Sequence, residues 1–347
     1  MNNQITKTLF GTIEGVEIYQ YTLVNANGMR VSVMNYGGTL LEIITKDNKG
    51  ANGNVILRFD TLNDYLHKNN PYVGPLVGRY ANRIGAAKFT LQEQEYILEA
   101  NDHGNTLHGG FGGFDKVIWE ITPVPEKNAL QLNYLSKDGE GGFPGDLHVQ
   151  VVYTLGNDNS LCIDYLATTN KATPVSLTSH AYFNLSAGIQ NDILKHHVQI
   201  NASKYIPVKE NLIPTGELLD VKGSPMDFLQ EQMVQDQILK TKSGYDHSWV
   251  LNKEPSKDSF AVRVFEPVSG RLLTMYTTEP AVQFYTGNFL DGTLGCNNGE
   301  YKFVKHAGLC LEAQKFPDSP NQSNFPNTIL HPNQEYKQRT VYQFAVK

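Results

Sequence analysis

Cysteine is scarce. The 347 residues hold three, Cys162, Cys296 and Cys310, and an odd, low count argues against a disulfide scaffold. Reduced thiols of a cytoplasmic protein fit it; one bridge plus a spare thiol in a periplasmic protein is the alternative. Long apolar runs are absent, so no membrane partner is expected. Runs of Lys and Arg are absent too. With 29 basic against 35 acidic residues and a formal net charge of −6, no basic stripe offers itself to a nucleic acid. The opening MNNQITKTLFG has no apolar core behind its charges, so it does not read as a signal peptide. The chain is expected in the cytoplasm, or in the periplasm if a leader has been removed.

Cofactor motifs are missing as well. No CxxC or HExxH spacing marks a zinc site, although His103 lies near His108 and Cys310 near Glu312. The adjacent His196 and His197 would point to opposite faces of a strand. No catalytic metal is expected, and a structural cation is left open. No GxGxxG or P-loop stands between a strand and a helix, so no nucleotide cofactor is expected either.

What is present is alternation with a period of two. Met29-Arg30-Val31-Ser32-Val33 alternates after an Asn27-Gly28 turn. Leu161, Ile163, Tyr165 and Ala167 alternate with polar neighbours after the turn Gly156-Asn157-Asp158-Asn159, and Val149, Val151 and Tyr153 precede it. Leu130, Leu132 and Tyr134 form another run, and Thr340 to Val346 closes the chain as a β-rich segment. The 30 glycines and 16 prolines punctuate these runs as turns. Helical spacing is confined to Leu62–His67 and to about Met226–Leu239, where Phe228, Leu229, Met233 and Ile238 recur. No linker or repeat divides the chain. The pattern predicts an all-β fold, a single large β-sandwich with a few short helices, over residues 1–347 as one domain.

Polar residues of catalytic type gather in short segments. These are GRYANRI at 78–84, NTLHGG at 105–110, SHAYFNL at 179–185, Tyr245-Asp246-His247, VQFYTGN at 282–288 and LEAQKFPD at 311–318. In this order and at these separations they resemble the galactose mutarotase (aldose 1-epimerase) family over nearly the whole chain. The resemblance implies a galactose-mutarotase-like supersandwich and an isomerase that interconverts the anomers of a free sugar. The partner is then a small sugar, and a monomer is expected rather than a homodimer.

The residues fit that chemistry, each with an ordinary alternative. Glu312 ends an apolar run, where burial would raise its pKa and suit it as a base; otherwise it is a solvated strand-end glutamate. His180, beside Tyr182-Phe183, titrates near working pH; otherwise it is a core histidine. The resemblance implies general base for Glu312 and general acid for His180. It further implies that Asn82, Arg83, His108, Asp246 and Gln283 bind substrate, His108 near the ring oxygen and Asp246 on vicinal hydroxyls. Their alternatives are a loop salt bridge, a turn histidine and a capping aspartate. Arg79 reads as structural. Tyr182 and Trp249 could stack on a sugar ring but read as core or rim packing.

Three rival functions remain at this stage. A sugar-binding module would need the contacts but neither acid nor base. A glycoside hydrolase would pair Glu312 with a second carboxylate, for which Asp246 is the candidate. A hexose-phosphate epimerase would need extra basic residues, and only isolated ones such as Arg263 or Arg271 could be brought in by folding.

Overall fold

The computed structural model describes residues 5–188, 190–241, 243–252 and 259–347. Its longest sheet is antiparallel and nine-stranded. In spatial order it runs Glu120–Val124, Ala129–Ser136, Leu147–Leu155, Ser160–Thr169, Tyr336–Val346, Arg271–Thr277, Ser259–Phe265, His197–Ile200 and Gln232–Met233. The closing segment is thus a central strand, flanked on both sides. Facing it is a six-stranded sheet in the order Tyr182–Phe183, Leu309–Gln314, Ala281–Tyr285, Asp246–Leu251, Ala202–Ile206 and Leu219–Asp220. An N-terminal five-stranded antiparallel sheet spans residues 6–54.

Burial follows the alternation. Leu161, Ile163, Tyr165 and Ala167 are buried, as are Val149, Val151 and Tyr153 on the neighbouring strand. They meet Phe183, Leu309, Leu311, Val282, Phe284 and Trp249 of the facing sheet in one continuous core, which also takes Val31, Val33 and Ile43 from the N-terminal sheet. The Phe183 and Tyr342 rings meet across the layers at 5.1 Å. Sheet packed on sheet is the β-sandwich the alternation predicts.

The second predicted helix shrinks to Val234–Ile238. Upstream of it, Ser224 Oγ accepts from the Met226 amide and Asp227 Oδ1 from the Leu229 amide. Such local bonds compete with helix. Gln232–Met233 then pairs with His197–Val198 as a sheet edge. The first helix is Leu62–Tyr65, closed by a capping box between Thr61 and Asp64. Among the described residues no helix is long and apolar enough to cross a membrane.

Candidate active site

Three adjacent strands of the six-stranded sheet carry the floor of the site. Glu312 stands opposite Gln283, and Gln283 opposite Ser248. Period-two alternation sends Val282, Phe284, Leu311 and Ala313 into the core, so Gln283 and Glu312 share the other face. Ser248 Oγ donates to Gln283 Oε1 at 2.7 Å, and Gln283 Nε2 donates to Asp246 Oδ1 at 2.6 Å. Gln283 is therefore a link that orients Asp246.

Loops bring the remaining groups over this floor. Thr106–Leu107 pairs with Arg83–Ile84, which seats His108 against Asn82. The Asn82 amide donates to His108 Nδ1 at 3.2 Å, and the His108 amide to the Asn82 carbonyl at 3.1 Å. Gly109 permits the approach: its φ is +89°, and a Cβ there would lie 2.0 Å from the Gly78 carbonyl oxygen. His180 is pinned by its backbone, whose amide donates to Pro75 and whose carbonyl accepts from Gly74. Arg83 Nε meets Asp102 at 2.8 Å and its Nη1 lies 3.9 Å from Asp246.

The outcome is a cavity of about 200 Å³ that Asn82, Arg83, His108, His180, Asp246 and Glu312 line together. That is below the ~300–1,000 Å³ of clefts for drug-sized ligands and suits one compact polar molecule. His180 Nε2 lies 3.7 Å from Glu312 Oε1. Both side chains are buried, and Glu312 Oε2 has no hydrogen-bond partner among the described residues.

Burial governs the ionisation of the pair. It pushes Glu312 well above the usual carboxylate range; the Asp246 charge adds to this and Arg83 opposes it. It pushes His180 down to about 4, against the pull of the His180 and Tyr72 carbonyls. Both shifts disfavour charge. Over the range between them the pair keeps one proton, held on the carboxyl. The same proton on the imidazole would leave a carboxylate base beside a charged acid.

His108 is different. Burial, with the nearby His180, Arg83 and Lys116, holds it well below the usual histidine range. Its Nδ1 accepts a backbone N–H, so the neutral ring carries its proton on Nε2. That makes Nε2 a donor into the cavity. By distance alone His108, His180 and Glu312 could hold a metal, since their ligand atoms lie within 4.8 Å of one another. The cluster was invisible in the local spacing that argued against a zinc site. The His108 tautomer fits a metal poorly, because Nε2 would have to surrender its proton to Nδ1, which already faces a donor.

Comparison with known proteins decides the family. The sequence pattern of the family described as Aldose 1-epimerase matches residues 19–343. The galactose mutarotase of Rattus norvegicus is 43% identical over 348 residues, covering 99% of both chains. This chain belongs to the aldose 1-epimerase family. The galactose mutarotase of Homo sapiens is 42% identical over 99% of both chains, and the aldose 1-epimerase of Escherichia coli K12 is 37% identical over 94% of this chain and 95% of its own. The crystal structure of galactose 1-epimerase from Lactobacillus acidophilus superposes with a TM-score of 0.86 at 27% identity, covering 99% of each chain.

Membership in the epimerase family makes the chain an enzyme, an isomerase, and removes the non-catalytic module as a reading. The phosphate rival loses its candidates. Arg271 is buried and donates to the carbonyls of Leu185, Thr45 and Ala51, and exposed Arg263 packs over Phe260. Arg79 is structural as expected, bonded to the Pro144, Gly145 and Ser136 carbonyls. Trp249 is buried in the core, with its indole donating to the Met226 carbonyl. Gln283 stands beneath the cavity lining, bonded to Ser248 and Asp246.

Several groups around the cavity have no signal in the sequence. Tyr72 and Phe289 line the cavity but lie in loops whose course no local pattern sets. Tyr285, within VQFYTGN, lines it too. Asp102, which holds Arg83, carried no signal of its own.

The raised Glu312 pKa also makes a stability prediction. A carboxyl whose folded pKa exceeds its unfolded one contributes stability fully below the unfolded value and loses it as pH rises through the folded value. Glu312→Gln should therefore melt above the parent at about pH 8, with the gain closing towards about pH 4. Thermal scans at both pH values check this; a gain that grows on acidification would contradict the sign.

Proposed function

We propose that the protein interconverts the α and β anomers of free hexoses such as galactose and glucose, supplying anomers to hexose catabolism, with Glu312 as general base and His180 as general acid. The observation that carries the reading is the buried His180–Glu312 pair, 3.7 Å apart and facing one small cavity. The galactose mutarotase names of relatives 42–43% identical support galactose as a substrate.

Mutarotation needs the hemiacetal to open and reclose. Glu312 takes the proton of the C1 hydroxyl while His180 Nε2–H gives one to the ring oxygen. The C1–O5 bond breaks and C1 becomes an aldehyde. Rotation about C1–C2 presents its other face. The roles then reverse and the ring closes. Atoms and electrons balance within the sugar and the two side chains. Arg83 and Asp246 hold hydroxyls, and His108 Nε2–H donates to an oxygen near the ring.

The sequence alone suggests loss of activity as Glu312 protonates; the pair refines this. The competent state carries one proton over the two groups. On the acid side kcat/KM should fall near about pH 4, where His180 ionises alongside a protonated Glu312. On the alkaline side it should fall above the carboxylate range, as the last proton leaves. A single acid limb at an ordinary carboxylate pKa would contradict this assignment.

Asp102→Asn loosens Arg83 without touching substrate. It should raise KM about tenfold, the scale of one charged hydrogen bond, with kcat changed less. An unchanged KM would remove Arg83 from the binding role.

The reaction itself is tested with freshly dissolved α-D-galactose and α-D-glucose. The protein should accelerate the decay of optical rotation to its equilibrium value for at least one of them. No acceleration with either sugar would overturn the proposal.

A further inference from the structure

The acid needs more than a proton. As it delivers the proton on Nε2, Nδ1 must keep its own, or the ring ends in the wrong tautomer. Many catalytic histidines use a carboxylate behind the ring for this. Here a different group stands there. Cys310 Sγ lies 3.5 Å from His180 Nδ1, and both residues are buried. Cys310 is two residues before Glu312 on the strand Leu309–Gln314, so alternation places its side chain on the Glu312 face.

Besides the backbone carbonyls of His180 and Tyr72, the His180 ring is surrounded by other rings. The rings of Tyr72, Tyr182, Tyr285 and His108 pack around it at 5.8, 5.1, 6.4 and 5.3 Å. The Tyr182 hydroxyl donates to the Pro71 carbonyl and the Tyr285 hydroxyl accepts from the Phe289 amide. Glu312 occupies the Nε2 side.

We infer that Cys310 is a positioning residue, whose sulfur accepts the Nδ1 proton of His180 and keeps Nε2 turned to the cavity and to Glu312. The inference rests on the acid–base reading of the site. A thiol suits the task because sulfur is a weak acceptor. It fixes the ring and tautomer without stabilising the imidazolium as a carboxylate would, so His180 stays a strong acid once protonated. Burial, which holds the thiol well above its usual pKa, keeps a thiolate from forming there.

The test compares Cys310→Ser, Cys310→Ala and His180→Gln in the full chain, each checked for folding by thermal melt. The Ala variant removes the sulfur acceptor from Nδ1. Its kcat should fall about three- to tenfold, the scale of one lost hydrogen bond, with KM within about twofold. The Ser variant restores an acceptor stronger than sulfur. It should recover most of kcat and move the acid limb of the pH profile upward, because a better acceptor favours the charged ring. Wild-type kcat and pH profile in both Cys310 variants, with the His180 variant impaired, would overturn the role of Cys310 alone. Equal losses of kcat and KM in Ser and Ala, with the acid limb unmoved, would reduce Cys310 to packing and overturn it too. Full activity in His180→Gln would overturn the acid–base reading beneath it.

Discussion

Glu312→Gln should lower kcat for hexose mutarotation by about 10²–10⁴-fold, the contribution of one positioned acid–base group. The amide keeps the shape and polarity of the carboxyl but cannot take the C1 hydroxyl proton. Gln283, Asp246 and Arg83 are untouched, so sugar binding measured by calorimetry should survive within about tenfold. Water at its own slow rate sets the residual activity. The expected loss is large because Glu312 is buried and its Oε2 has no hydrogen-bond partner among the described residues, which leaves that oxygen available to take the proton. Full activity in this variant would remove Glu312 from the chemistry.

The second large effect belongs to His180. His180→Gln should also cost about 10²–10⁴-fold in kcat, with a different signature. The variant retains a carboxyl whose pKa is raised by burial but loses the group whose ionisation sets the acid limb. The decline near about pH 4 should disappear from its pH profile, while Glu312→Gln changes the alkaline side. A His180 variant that keeps the wild-type acid limb would show that another group titrates there. His108 is the candidate, and its tautomer fixed by the Asn82 amide argues for a hydrogen-bond donor instead.

Much of this was legible in the chain before folding. The strands at 147–155 and 160–169 were readable because one face of each is buried, and burial of one face writes period two into a sequence. The motif resemblance named Glu312, His180, Asn82, Arg83, His108 and Asp246, and the fold brings all of them to one cavity. The short range of the local signal explains what was not readable. Residues 226–239 show helical spacing, yet Ser224, Asp227 and the edge pairing of Gln232–Met233 outweigh it. Gln283 reads as a ligand contact until the register sets it between Ser248 and Asp246. Cys310 reads only as one of three reduced thiols until His180, 130 residues earlier, is placed beside it.

The register that joins strands 281–285 and 309–314 has a functional consequence. It fixes Glu312 on a paired strand opposite Gln283, with Leu311 and Ala313 packed into the core on the other face. A base held this way loses little orientation when substrate binds. Tyr72, His108 and Phe289 reach the cavity from outside the strands, where changes of side chain can retune the choice of sugar without moving the base.

Glu312 and His180 are expected to act as one unit sharing one proton. The most direct measurement is the double variant Glu312→Gln/His180→Gln, assayed for mutarotation of α-D-galactose beside each single variant. If the two groups work as a unit, the double variant should lose no more than the worse single one, because removing either partner already stops proton exchange across C1 and the ring oxygen. Losses that multiply, each variant subtracting its full effect from the other, would show two independent contributions and contradict the shared-proton account.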